Sequence, residues 1–80
     1  MNLEIHKDLI ERSKRGDSRS QYELYKLYSK AMYNTCYRMM NGTEDAEDML
    51  QESFSDAFTK LNTFVYKSTF GAWLKRIVVN

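Results

Sequence analysis

Apolar side chains recur three and four positions apart along most of this chain, and no stretch sustains the every-other-residue alternation of a half-buried strand. Four helices follow from that pattern. Leu3, Ile5, Leu9 and Ile10 give a narrow apolar stripe over about residues 3–15, and Gly16 is placed to end that helix in a left-handed turn. Asp17 and Ser18 offer side-chain oxygens to the unpaired amides of a new helix, and Ser18 with Gln21 has the spacing of a capping box. The second helix is expected over about 18–40. Leu24, Tyr28, Ala31, Thr35 and Met39 share one face, which Tyr25, Met32 and Cys36 widen and Tyr22, Tyr33 and Tyr37 extend. A face this broad suits a central helix touched by several neighbours. Asn41-Gly42 ends it.

The third helix is expected over about 43–61, with Thr43 as N-cap and Glu44 and Asp45 in the first turn, where negative charge suits the helix dipole. Ala46, Met49, Leu50, Ser53, Phe54, Ala57 and Leu61 form its inner face. Asp45, Asp48, Gln51, Glu52 and Ser55 form its outer face. After a loop over 62–68, a fourth helix begins at Ser68 or Thr69 and carries Phe70, Leu74, Ile77 and Val78 in one stripe. That helix is still running at Asn80, so the sequence reads as a fragment cut inside or just after it. The expected fold is all-α, one domain over residues 1–80 built as a small bundle of about four helices. The absence of proline fits uninterrupted helices.

Composition narrows the class. With 42% hydrophobic and 29% charged residues, the chain belongs with folded globular proteins rather than disordered ones. No apolar run approaches the ~18 residues of a membrane span, and no signal-peptide pattern opens the chain. The single Cys36 cannot form an internal disulfide, which agrees with a cytoplasmic location.

Net charge is only +1, but its distribution is uneven. Residues 43–56 carry six acidic side chains and no basic ones, and residues 57–80 carry four basic and no acidic ones. An acidic helix followed directly by a basic, aromatic segment calls for two kinds of partner, or one partner with two surfaces.

Candidate chemistry is sparse. His6 stands alone in a charged helix and reads as a surface residue, since acid–base catalysis needs a cleft and partners. Cys36 lies on a helix stripe and reads as a packing thiol. Glu44, Asp45, Glu47 and Asp48 lack the loop spacing and glycine of a calcium hand and have no histidine beside them. No enzyme activity, metal or cofactor is therefore expected.

The acidic face could be a plain solvated surface, and taken alone that is the simpler reading. Two details favour a partner. A solvated helix ordinarily mixes charge signs, whereas Asp45, Asp48 and Glu52 stand one turn apart with the same sign, which costs a few tenths of a kcal/mol per pair. A basic partner would remove that repulsion and speed encounter.

Phe64, Tyr66, Phe70 and Trp73 interleave with Lys67, Lys75 and Arg76. Aromatic faces stack on unpaired bases while cations hold phosphates, so the combination suits single-stranded nucleic acid. Helical geometry puts Thr69, Trp73, Arg76 and Asn80 along one edge, where Asn can read a base edge and Arg a base or phosphate. Each aromatic residue, taken singly, is more often a packing residue.

The run DAEDMLQESF followed by STFGAWLKRIVVN resembles region 2 of bacterial RNA polymerase sigma factors, and within them the small extracytoplasmic-function group. The resemblance covers nearly the whole chain. It implies a helical bundle whose acidic helix docks on the coiled coil of the polymerase beta-prime subunit. The family's core-binding pattern falls on Asp48, Met49, Leu50, Gln51 and Glu52, and the outer-face Asp45 and Ser55 join them as expected contacts. It also implies that the loop over 64–69 captures a base flipped from the nontemplate strand of the minus-ten promoter element, and that the helix over 70–80 contacts the same element.

The expected DNA-binding residues are then Phe64, Tyr66, Lys67, Ser68, Thr69, Phe70, Trp73, Lys75, Arg76 and Asn80. An anti-sigma factor that covers these surfaces is a further implied partner. One departure stands out. The family's loop often reads Phe-Arg-Gly, and here Tyr66 stands where that glycine would supply an easy positive φ. Region 4, which reads the minus-thirty-five element, has no counterpart in these residues. The alternative reading is a helical protein-interaction domain without DNA sequence readout.

Overall fold

A computed structural model describes residues 4–80; the expected stripe residue Leu3 lies outside the described residues. The elements are α1 Lys7–Lys14, α2 Ser18–Met39, α3 Thr43–Thr59, a 3-10 turn Leu61–Thr63, and α4 Phe70–Val79. Among the described residues there is no strand, and the architecture is the expected all-α bundle.

α1 starts later than its apolar stripe suggests, because residues 5 and 6 form a turn. His6 takes the N-cap position there and meets Tyr28 edge-on at a centroid distance of 5.8 Å, so it is part-buried rather than a free surface residue. Gly16 adopts φ 89°, the left-handed stop its position predicts.

The cap of α2 is Asp17, not Ser18. Ser20 Oγ donates to Asp17 Oδ2 at 2.5 Å, and Gln21 Nε2 reaches back to the Ser13 carbonyl at 3.1 Å. The Ser18–Gln21 capping box does not form because Gln21 instead reaches the end of α1, where the Ser13 carbonyl also accepts from Gly16 N at 3.0 Å.

Thr43 is likewise the first helical residue rather than a cap, with Gly42 ahead of it at φ 150°. α3 ends two residues early. The chain tightens there, with Thr63 N and Thr63 Oγ1 both donating to the Lys60 carbonyl at 2.9 and 2.7 Å. Leu61 stays buried through that turn.

α2 is the central helix, packed on α1 and α3, and α4 lies across α2 and α3. Its core face runs through Ser20, Leu24, Met32, Thr35 and Cys36, whereas Ala31 and Met39 are exposed. The expected row holds at Leu24 and Thr35, with Tyr28 packed on the core, and shifts at Ala31 and Met39, in whose place Met32 and Cys36 are buried. α3 buries Ala46, Leu50, Ser53, Phe54 and Ala57, and α4 buries Phe70, Leu74 and Val78, each on the stripe its spacing defines.

Fully burying such a Leu or Phe contributes about 1.5–3 kcal/mol, which matters in a chain this short. Gly71 lets the start of α4 press on α2, since a Cβ there would lie 3.3 Å from Tyr28 Cε1. Cys36 is a buried free thiol, and burial pushes its pKa up, away from nucleophilic reactivity.

Candidate protein and nucleic-acid interfaces

Two surfaces carry the candidate residues. The first is the outer side of α3. Its inner positions are fixed in the core, so the helical period forces Asp45, Asp48, Gln51, Glu52 and Ser55 outward, and all five are exposed. Glu44, Glu47 and Asp56 are exposed with them.

The ion pairs recorded between described side chains, Arg12–Asp8, Lys14–Glu11 and Lys26–Glu23, lie on α1 and α2 and take up none of these carboxylates. Beside this stripe runs an open groove of about 350 Å³ between α2 and α3, lined by Tyr25, Ser29, Lys30, Tyr33, Glu47, Leu50 and Gln51. Gln51 therefore belongs both to the acidic stripe and to a groove with aromatic walls. Tyr33 and Lys30 extend the surface in a way that α3 alone does not reveal.

The second surface surrounds the loop between the 3-10 turn and α4. A cleft of about 220 Å³ is lined by Thr63, Phe64, Val65, Lys67, Ser68, Trp73 and Arg76. The fold thus brings together five of the expected DNA-binding residues: Phe64, Lys67, Ser68, Trp73 and Arg76. Thr69 caps α4 by accepting a hydrogen bond from Ala72 N at 3.3 Å, so it starts the helix beside the cleft. Lys75 on α4 and Asn80 just after it are exposed but do not line the cleft.

The aromatic set divides. Phe64 and Phe70 are 2% and 1% exposed, which makes them core side chains rather than free stacking platforms in this conformation. Their rings pack edge-on at 5.6 Å, and Trp73 closes over both at 5.3 and 5.6 Å. Apolar burial wins over display here because the short loop needs an anchor on each side. Trp73 is half-buried and presents the remaining aromatic surface to the cleft.

Tyr66 does not line the cleft either. It takes φ 64° and turns its ring toward α1, where its hydroxyl donates to Glu11 Oε2 at 2.6 Å. Lys7 and Lys14 place their ammonium groups 5.2 and 5.1 Å from the centre of that ring, within cation–π range. Burial first, and then the Glu11 bond, push the Tyr66 phenol pKa up, so it stays a donor. The same bond is the largest cause holding Glu11 below the usual carboxylate range, with Lys14 adding to it.

Lys14 Nζ also donates to the Phe64 carbonyl at 2.7 Å, and Glu4 Oε1 accepts from Phe70 N at 2.6 Å. Sequence reasoning missed Glu4, Lys7, Glu11 and Lys14 as neighbours of this loop. No local pattern relates residues 50 or more positions apart; the one available signal was a tyrosine in a slot that suits glycine.

No helix among the described residues is long and apolar enough to cross a membrane, and no cluster of metal-binding side chains occurs among them.

Residues 24–80 match the sigma-70 region 2 family. Among similar proteins, the ECF RNA polymerase sigma factor SigW of Bacillus subtilis is 34% identical over 92% of this chain and 40% of its own length. The ECF RNA polymerase sigma factor BldN of Streptomyces coelicolor is 36% identical over 91% of the chain and 28% of its own length. The RNA polymerase sigma-H factor of Pseudomonas aeruginosa is 34% identical over the whole chain and 42% of its own length. The chain thus spans less than half the length of these relatives.

Proposed function

The chain belongs to the sigma-70 region 2 family, in the ECF group of RNA polymerase sigma factors, and from that premise we propose that it docks on RNA polymerase core and captures a base of the minus-ten promoter element. Docking uses the α3 stripe, with Asp45, Asp48, Gln51, Glu52 and Ser55 against a basic partner surface, the beta-prime coiled coil. Base capture uses the cleft beside the 64–69 loop, and the protein works in the cytoplasm on the nontemplate strand. The observation that carries the reading is the cleft itself, where Lys67, Ser68, Trp73 and Arg76 converge at one end of α4.

Flipping a base costs a few kcal/mol of lost stacking and pairing. Trp73 offers a stacking surface, Ser68 and Arg76 offer hydrogen bonds to a base edge, and Lys67 and Arg76 supply charge for the flanking phosphates. The cleft is smaller than the ~300–1,000 Å³ of sites for drug-sized ligands, which suits a single planar base. Lys75 and Asn80, exposed outside the cleft, track the adjoining strand.

With four basic side chains over residues 57–80, the DNA-facing segment holds few phosphates, so free DNA affinity is weak and salt-sensitive. Polymerase docking supplies the remaining position and contacts. The test is a binding screen of this chain against single-stranded minus-ten variants and their duplexes at fixed low salt. Preferential binding to particular nontemplate-strand sequences over duplex is expected. Equal binding to every single strand of the same length would defeat the assignment.

A further inference from the structure

Three hydrogen bonds of long sequence separation join one segment to one loop. Glu4 holds the Phe70 amide at the loop's end, Glu11 holds the Tyr66 hydroxyl at its middle, and Lys14 holds the Phe64 carbonyl at its start. The loop's backbone needs this support. A bulky residue at positive φ costs of order 1–3 kcal/mol and persists only where its surroundings over-determine it. Here Tyr66 at φ 64° is fixed by its hydroxyl bond, by two ammonium groups over its ring, and by the Phe64 ring 4.7 Å away. Turning Tyr66 toward α1 leaves its neighbours Val65, Lys67 and Ser68 on the cleft.

We propose that Glu11 and Lys14 of α1 are positioning residues for base selection, which hold Tyr66 and the Phe64 carbonyl so that the loop offers one shape to the captured base. This rests on the base-capture reading above. It extends that reading to a helix outside residues 24–80, the part that matches the family. Selectivity is then set partly by residues that never touch DNA. Glu11 and Tyr66 act as a pair, so loosening either one lets the loop sample several shapes and accept several bases.

The experiment takes the best- and worst-bound single-stranded oligonucleotides from a minus-ten screen, differing at one base, and measures their affinity ratio. The variants are Tyr66→Phe, Glu11→Gln, the double variant, and Tyr66→Gly. Tyr66→Phe and Glu11→Gln should each shrink the ratio by about threefold or more, and the double variant should shrink it no further, as expected for one shared contact. Melting temperatures should fall by less than about 4 °C, so general unfolding is not the cause.

Tyr66→Gly supplies the permissive backbone but removes the hydroxyl and ring, and it should also lose selectivity. A full ratio in Tyr66→Gly would show that φ alone shapes the loop and would overturn the proposal. So would an unchanged ratio in Tyr66→Phe and Glu11→Gln, with base capture itself left standing. A wild-type chain with no preferred base would remove the underlying reading, and this proposal with it.

Discussion

The α3 stripe and the 64–69 loop are both candidate binding surfaces, yet they are built in opposite ways. The stripe is a by-product of one regular helix. Once Ala46, Leu50, Phe54 and Ala57 are buried, the outward direction of Asp48, Gln51 and Glu52 is settled by the helical period, with no help from elsewhere. The loop has no repeating geometry. Its anchors are buried, its central residue is strained, and its polar ties run to α1. A surface of the first kind can change side chains without changing shape. A surface of the second kind changes shape when a distant side chain changes.

The harshest way to break this contrast is to remove a buried anchor of the loop and, for comparison, an exposed side chain of the stripe. Phe64→Ala should cost about 3–5 kcal/mol, because the ring is buried among Tyr66, Phe70 and Trp73 and the loop cannot close over the void. In a domain this small that loss is comparable to the whole stability, so denaturant melts should show a largely unfolded chain. Gln51→Ala, on the exposed stripe, should stay within about 0.5 kcal/mol of the parent. A tolerant Phe64→Ala would mean that the loop is not held by its buried rings.

Next in size is a functional effect with no structural one. Asp48→Arg reverses charge at the centre of the stripe and should weaken binding to RNA polymerase core by about tenfold or more, roughly 1.4 kcal/mol, with an unchanged melting temperature. Gln51→Ala should weaken it by a smaller factor through the α2–α3 groove that Gln51 lines. Normal polymerase binding by both variants would refute docking through α3. Selectivity between single-stranded oligonucleotides should be unchanged in both, since the two surfaces share no helix face.

The same contrast explains what could be read in the sequence. The helices, the inner face of α3 and the stripe of α4 follow from spacing, and the structure places them as that spacing dictates. α2 keeps Leu24, Tyr28 and Thr35 on its core side but buries Met32 and Cys36 rather than Ala31 and Met39, because helices pack on it from more than one side and choose among its many apolar residues. α2 and α3 begin at Ser18 and Thr43 as the pattern predicts, but the cap positions ahead of them are Asp17 and Gly42, and Gln21 bonds back to α1 instead of closing a capping box with Ser18. Phe64, Phe70 and Trp73 could be named as a cluster, but not sorted into core and cleft. Aromatic identity alone does not decide between stacking on protein and stacking on a base. At Tyr66 a missing glycine says that the loop is strained or reshaped, and only the fold shows Glu11 and Lys14 supporting it.

The smallest expected effect separates the two regions by pH. Glu11 is held below the usual glutamate value, about 4.3, first by the Tyr66 hydroxyl and then by Lys14. A depressed carboxylate adds stability that is present above its unfolded value and is lost as pH falls through the lower folded one. Tyr66 is pushed the other way, so its neutral phenol adds stability that is present below its unfolded value, about 10, and is lost only as pH rises through the raised one. Between about pH 5 and 9 the bond is therefore intact.

Tyr66→Phe removes the donor and nothing else. Its deficit against the parent should be constant from pH 9 to pH 5 and should shrink as pH falls below the usual glutamate value, through the lower one at which the folded parent's Glu11 takes its proton. Asp17, held low by the Ser20 hydroxyl, titrates in both and cancels. Gln51→Ala has no such link, and its curve should run parallel to the parent at every pH. Denaturant melts at pH 9, 7, 5 and 3 make the comparison. A Tyr66→Phe deficit as large at pH 3 as at pH 7 would show that the hydroxyl's contribution does not depend on the Glu11 charge, and no deficit at pH 7 would place the tyrosine's contribution in its ring contacts with Phe64, Lys7 and Lys14.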